Sequence, residues 1–371
     1  MRINRFFRIP LTYYRFSQYS RRMITSVTHS QLERQQKIKR LEQQRLPKHE
    51  VTEEIYRAKR AADEHLQRFK KLENTPPTSS PLLSFIEKIL SYFSPKPFEE
   101  ISIPEKRRKE VNPISDKLGV GATLQGHRPY MEDRVLFSSF IAKIDGCEIE
   151  VSLSAVFDGH GGSACAEHAV KNIADILKKN LEQCERSDEG IWNALTQSYV
   201  ELTESFTENV PGTTANVAVM IGSDLWIANA GDSTALVLDD QGNIIRMSEP
   251  TLLSDNRYAE EVKQRFGKVV MDEELQLRVN GILTVPVAIG NRWANGAISS
   301  RPSIVKLESP KNVTLIQYSD GVEANPLQVV KRFLNLKNKG MELLEIVKDI
   351  AAAAKLNGSR DNISVLIRSI V

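Results

Sequence analysis

The chain has 371 residues, 41% hydrophobic and 26% charged, with a formal net charge of +3, values of a globular protein with room for one large domain or two ordinary ones. No run approaches the roughly 18 consecutive apolar residues that a membrane-spanning helix needs. The three cysteines, Cys147, Cys165 and Cys184, form no CxxC pair, which argues against a disulfide framework or a zinc site and fits a reducing compartment.

Charge is unevenly placed. Residues 1–112 carry 24 Lys+Arg against 13 Asp+Glu, and residues 113–371 carry 26 against 34, so a basic arm precedes an acidic body. Residues 1–32 hold six arginines and no acid, the composition of a mitochondrial transit peptide. The cytoplasm is the expected location, with the mitochondrial matrix, through this Arg-rich segment, or delivery into a host cell as alternatives. Residues 30–73 read as helix. Ser30 and Glu33 have capping-box spacing, and Val51, Ile55, Ala58, Ala62, Leu66, Phe69 and Leu72 form an amphipathic stripe. Residues 74–81 (NTPPTSSP) read as a linker. Residues 82–93 (LLSFIEKILSYF) are apolar but too short to cross a bilayer. The expected division is a basic tail at 1–32, a helical, partly disordered extension at 33–113 and a folded domain at 114–371. The arm lacks interleaved aromatics and any nucleic-acid motif, so it suits a protein partner rather than nucleic acid.

Within the body, alternation at Val151, Leu153, Ala155 and Phe157 predicts a strand over 151–157. Helices follow over 164–182 and 190–208, then strands at 215–221, 224–230 and 234–238 separated by turns of Gly, Ser and Asp. Further strands are expected at 313–318 and 363–371, with a helix at 341–355 between them. Short strands with a few long helices suggest antiparallel sheets covered by helices.

Four aspartates share one local grammar. Asp158 follows the strand 151–157, Asp232 follows 224–230 through Gly231, Asp320 follows 313–318, and Asp361 precedes the last strand. Carboxylates gathered at one sheet rim repel unless cations neutralise them, and hard divalent cations take oxygen ligands. The run GVG at 119–121 lacks a dinucleotide fingerprint, and no P-loop, EF-hand or HCxxxxxR signature occurs.

QGHRPYMED (125–133), VFDGHGG (156–162), PGTTA (211–215), ANAGDS (228–233), RVNGILTV (278–285), YSDGVE (318–323) and GSRDN (358–362) occur in that order. Together they resemble the metal-dependent serine/threonine protein phosphatases of type 2C, over residues 114–371. The resemblance implies an α+β fold, a four-layer α/β/β/α sandwich with two central antiparallel sheets. It implies two Mg²⁺ or Mn²⁺ ions, with a weaker third. Asp158 matches the aspartate that bridges both metals, Gly159 supplies a carbonyl, Glu132 stands beside the same metal, and Asp320 and Asp361 match ligands of the other. Asp232 matches the ligand of the third. Arg128 matches the arginine that grips the substrate phosphate, and His160 the acid that protonates the leaving serine or threonine oxygen. Asp133 is expected to be a hydrogen-bonding residue. The implied activity is hydrolysis of phosphoproteins by a metal-bridged water.

The chain departs from the family pattern in several places. Pro286-Val287 stand for Ser-Arg, Gly290-Asn291 for Gly-Asp, Ser248-Glu249-Pro250 for Asp-His-Lys-Pro, Thr234 for Arg, and Ala324 for Asp. These departures carry the alternative expectation of a weakly active or inactive regulatory protein on the same fold.

Overall fold

The computed structural model describes residues 98–272 and 276–371. The expected basic tail, helical stripe, linker and apolar segment upstream of Phe98 lie outside these residues. Among the described residues, no helix is long and apolar enough to cross a membrane.

Eleven strands build the two main sheets. They are β1 (Asn112–Asp116), β2 (Gly119–Leu124), β3 (Arg134–Ile144), β4 (Cys147–Phe157), β5 (Ala215–Ile221), β6 (Asp224–Ala230), β7 (Thr234–Leu238), β8 (Ile244–Met247), β9 (Ser303–Leu307), β10 (Val313–Tyr318) and β11 (Ile363–Ile370). The first sheet has the order β1-β2-β11-β10-β7-β8 and the second β9-β6-β5-β4-β3. Neighbours pair antiparallel throughout. Between strands run α1 (Glu105–Arg108), α2 (Ala164–Glu182), α3 (Asp188–Ser205), α4 (Asn256–Gln264), α5 (Pro326–Asn338) and α6 (Leu343–Leu356).

Side-chain alternation sorts the strands into layers. Leu153, Ala155 and Phe157 of β4 join Val217 and Val219 of β5 against Ile173, Leu177 and Leu181 of α2 and Leu195, Tyr199 and Leu202 of α3. On the other side, Ile316 and Tyr318 of β10 and Ile363, Val365 and Ile367 of β11 pack on Val329, Val330 and Phe333 of α5 and Ile346, Val347 and Ile350 of α6. Ala218, Leu225, Ile227, Val237 and Leu315 fill the space between the sheets. The result is the four-layer α/β/β/α sandwich. Local chemistry sets the helix starts. The Ser187 hydroxyl accepts from the Gly190 N–H at 3.0 Å, and Asn325 and Gln328 form a capping box with Pro326 at the first position.

The inter-sheet space also holds polar groups in a chain. Ser154 Oγ donates to Gln317 Oε1 at 2.5 Å, Gln317 Nε2 donates to Asn216 Oδ1 at 2.8 Å, and Asn216 Nδ2 donates to Asn229 Oδ1 at 2.8 Å. Buried amides that satisfy one another in this way fix the stacking of the sheets more narrowly than apolar contact does.

The packed unit takes in residues upstream of Ile114. Phe98, Ile103 and Val111 are buried with α5 and α6. Arg332 donates from Nη1 to Phe98 O and from Nη2 to Ile101 O at 3.0 Å. Its Nε donates to Asp349 Oδ1 at 2.8 Å, while Arg108 Nε donates to Asp349 Oδ2 at 2.9 Å. A short segment rich in Pro and charge is thereby held by the chain-distant Arg332 and, through its own Arg108, by Asp349.

A smaller apolar cluster stands apart from these cores. Leu253, Val262, Val279, Ala294 and Ala297 form it. Glu249, in the departing Ser-Glu-Pro segment, pairs with Arg257 at the start of α4. Val287, which stands where the family has arginine, is buried with Ile289 in the core beside α2 and α3.

Candidate metal centre and phosphate-binding rim

One end of the sandwich collects four loops. Asp158 follows β4, and its N–H donates to Thr214 Oγ1 at 3.1 Å while its carbonyl accepts from the Thr214 N–H at 2.8 Å. Asp232 lies in the turn between β6 and β7, behind Gly231. Asp320 follows β10, and Asp361 precedes β11. Antiparallel pairing of β10 with β11 puts the end of one beside the start of the other.

Carboxylate oxygens of Asp158, Asp232 and Asp320 all lie within 4.8 Å of one another. Asp158 and Asp232 are half-buried and Asp320 opens to solvent, yet dense protein surrounds all three. Burial pushes the Asp158 carboxyl well above its usual range, and the neighbouring charges of Asp133, Asp320 and Asp232 add to it. Burial, reinforced by the charge of Asp320, holds Asp232 at about 7. Asp320 is raised by burial first, and the charges of Asp361 and Glu323 act in the same direction. Ionising all three without a counter-charge is unfavourable, because like charges at this separation each disfavour the other's charged form. The donor set is oxygen only, the preference of hard divalent cations.

Asp361 stands beside this trio rather than in it. Its Oδ2 accepts from Arg128 Nη2 at 2.6 Å, and its Oδ1 accepts from the Asn362 N–H at 2.7 Å. The Arg128 side chain is half-exposed, so further N–H groups of its planar fork remain available to solvent and ligand. Glu132 Oε1 accepts from the Gly162 N–H at 2.6 Å, and its backbone N–H donates to Asn362 Oδ1 at 2.7 Å. Gly159 sits against this glutamate: a Cβ there would stand 2.4 Å from Glu132 O, so only glycine admits the close approach of the two backbones.

Two residues that sequence reasoning did not single out hold the loops together. Asn362 Nδ2 donates to Gln125 O at 2.8 Å and Tyr130 O at 3.0 Å, and so ties the 125–133 loop to the start of β11. Asn291, known from the sequence only as a departure, places Oδ1 3.0 Å from His160 Nε2. Asn362 closes the GSRDN motif directly after Asp361, and that adjacency is its signal in the sequence. Asp133 lies beneath the rim. Its Oδ2 accepts from the Ser319 and Ser364 hydroxyls at 3.0 and 2.7 Å, and its buried Oδ1 has no partner. Burial outweighs these two hydrogen bonds and moves its carboxyl up to about 7. His160 is held below the usual imidazole value by burial, against an opposing contribution from Asn291.

The sequence matches the family model for protein phosphatase 2C over residues 118–363. A probable protein phosphatase 2C 55 of Oryza sativa subsp. japonica is 33% identical over 190 residues, covering 49% of this chain and 47% of that protein. A probable protein phosphatase 2C 6 of Paramecium tetraurelia is 30% identical over 276 residues, covering 66% of this chain and 88% of that protein. A crystal structure of a phosphatase from a pathogenic strain of Toxoplasma gondii has a TM-score of 0.58 at 18% identity, over 70% of this chain and 95% of that one; at that identity the likeness speaks for the fold. The chain spans about half the length of the first Oryza relatives it matches.

Proposed function

This chain belongs to the protein phosphatase 2C family, and on that premise we propose that it hydrolyses phosphoserine and phosphothreonine in proteins with divalent cations held at the acidic rim. The observation that carries this reading is the convergence of Asp158, Asp232 and Asp320 within 4.8 Å, an excess of negative charge that the charge of Arg128 offsets only in part. In this reading Asp158, the Gly159 carbonyl, Glu132, Asp320 and Asp361 hold two ions, Mg²⁺ or Mn²⁺, and Asp232 contributes to a further, weaker position. Such ions supply the Lewis acidity that activates the attacking water and offsets charge on the phosphoryl oxygens.

The chain's own residues do the rest. Arg128 offers its fork to the phosphoryl oxygens as a planar, permanently charged donor. Asp361 holds that guanidinium at the mouth of the site. His160 gives a proton to the departing serine or threonine oxygen, which otherwise leaves as a strongly basic alkoxide. Asn362 keeps the arginine loop and the Asp361 loop in one register.

The test is phosphate release from a phosphothreonine peptide by the full chain with Mn²⁺, with Mg²⁺ and with chelator, beside Asp158→Ala and Asp320→Ala. Metal-dependent release that falls by more than about 100-fold in both variants is expected, a loss beyond the 10- to 100-fold typical of removing a mere supporting partner of a metal ligand. No release by the folded wild type with either metal would overturn the reading and leave a phosphoprotein-binding role for the same rim.

A further inference from the structure

His160 is positioned by a device built from three short strands. Gly159–His160, Gly212–Thr213 and Ile289–Gly290 pair antiparallel around Gly212–Thr213 as the centre. Asn291 follows directly. It is 3% exposed and adopts φ 57°, a left-handed conformation that asparagine tolerates better than most residues. Its N–H donates to Pro211 O at 3.1 Å and its carbonyl accepts from the Ala294 N–H at 2.9 Å. A Cβ on Gly212 would stand 2.1 Å from Asn291 Oδ1, so the strand opposite leaves space for this amide and for nothing larger at position 212.

The amide does one thing with that space. Among the described residues, its one hydrogen bond joins Oδ1 to His160 Nε2 at 3.0 Å, and its buried Nδ2 has no partner. An amide kept in a dry position with half its bonding capacity unused costs stability rather than adding to it. Its place is therefore explained by the ring it touches. His160 Nδ1 has no protein partner among the described residues, so it is the nitrogen left for a ligand.

We propose that Asn291 is a positioning residue for His160: by accepting the Nε2–H it turns the ring so that Nδ1 is the nitrogen that hands a proton to the departing oxygen. The inference rests on the phosphatase reading above. In the step concerned, the bond from phosphorus to the serine or threonine oxygen breaks and its electron pair stays on that oxygen. The Nδ1 proton forms the new O–H bond, the oxygen of water joins phosphorus, and the proton lost by that water passes to solvent, from which Nδ1 is recharged. A carboxylate at position 291 would accept the same Nε2–H, so Asn291→Asp is the conservative variant.

Two measurements test this. The first compares a phosphothreonine peptide with p-nitrophenyl phosphate, whose phenolate leaves without needing a proton. Asn291→Ala is expected to lower kcat on the peptide by about 10- to 100-fold, part of the 10²- to 10⁴-fold that a positioned acid contributes. KM should stay unchanged, p-nitrophenyl phosphate turnover should be nearly kept, and Asn291→Asp should recover most of the peptide activity. In a His160→Ala background the same substitution should have no further effect. An equal loss on both substrates, or additive losses with His160→Ala, would overturn the proposal, because poor folding or a merely structural role produces those patterns. The second measurement needs no catalysis: long-range ¹⁵N–¹H NMR of the metal-free full chain. Neutral His160 should be the Nε2–H tautomer in the wild type and a mixture in Asn291→Ala; an Nδ1–H tautomer in the wild type would sink the assignment. An inactive wild type would speak against the phosphatase reading, and the NMR result would still decide the positioning.

Discussion

In the helix layer over the first sheet, Arg332 and Asp349 are 2% and 1% exposed, and the charges there are answered from within the chain. Asp349 receives both Arg332 and Arg108, and Arg332 spends its remaining donors on the carbonyls of Phe98 and Ile101. At the rim, Asp158, Asp232 and Asp320 lie within 4.8 Å of one another and Asp133 adds its charge to Asp158, while Arg128, paired with Asp361, offsets the charge on Asp320 only in part. The first cluster is matched from within the chain; the second is a group of carboxylates that could hold a metal ion. Buried charge alone does not mark a functional site. Several charges of one sign gathered at one rim are the stronger pointer to a site.

Breaking the matched cluster should have the larger effect on stability. Arg332→Met leaves Asp349 dry with Arg108 alone and frees two carbonyls in the 98–101 segment. A loss of about 3–5 kcal/mol is expected, the cost of stripping one partner from a buried pair, read by urea unfolding of the metal-free protein. The double variant Arg332→Met/Asp349→Leu should recover much of that loss, because no charge is then left buried. If the single variant costs less than about 1 kcal/mol, the pair is wetter than the structure shows.

The carboxylate cluster predicts a pH dependence of the opposite character. Folding raises the carboxyls of Asp133 and Asp232 from 3.8 to about 7, so the folded state holds protons that the unfolded chain releases. Their contribution is fully present below about pH 4 and is lost as pH rises through about 7. The metal-free protein should therefore lose stability between those values. Asp232→Asn should flatten part of that slope. Mn²⁺ or Mg²⁺ should remove it, because the cation favours the ionised carboxylates. A metal-free melting temperature that rises steadily from pH 5 to pH 8 would contradict this account.

The two regions also differ in how far the sequence announces them. Asp158, Asp232 and Asp320 each end a strand whose alternation is plain, and antiparallel pairing carries strand ends to one rim, so their convergence follows from short-range pattern. The helix-layer cluster joins Phe98, Arg108, Arg332 and Asp349 across up to 251 positions of chain, and no local period encodes such a meeting. One signal was there: Asp349 stands on the apolar face of α6 with Ile346, Val347, Ile350 and Ala353, where an acid requires a buried partner. Strand β3 is less legible because Ser138 and Ser139 interrupt its apolar run. The Asp361–Arg128 pair and the Asn291–His160 contact depend on rotamers and loop closure, which one sequence read alone does not encode.

Arg368 is the case between the two regions, and it carries the smallest effect. It projects between the sheets at 4% exposure, donating to Ser152 Oγ at 2.9 Å, with a buried Nε that has no partner. Burial lowers its guanidinium to about 10, opposed by the charge of Asp116. No carboxylate forms a salt bridge with it among the described residues, so it resembles the rim in being incompletely matched. The sign is reversed, and its neighbours are neutral hydroxyls rather than further charges. Removing the whole charge should therefore cost little: Arg368→Met keeps the length of the side chain and deletes the desolvated group. Replacements of this kind are commonly neutral or stabilising, and a change between about 0 and +2 kcal/mol is expected by urea unfolding. A loss above about 2 kcal/mol would mean that the guanidinium is answered after all, by water or an anion held between the sheets. The contrast would then sharpen to the rim, where among the described residues three carboxylates share one small space.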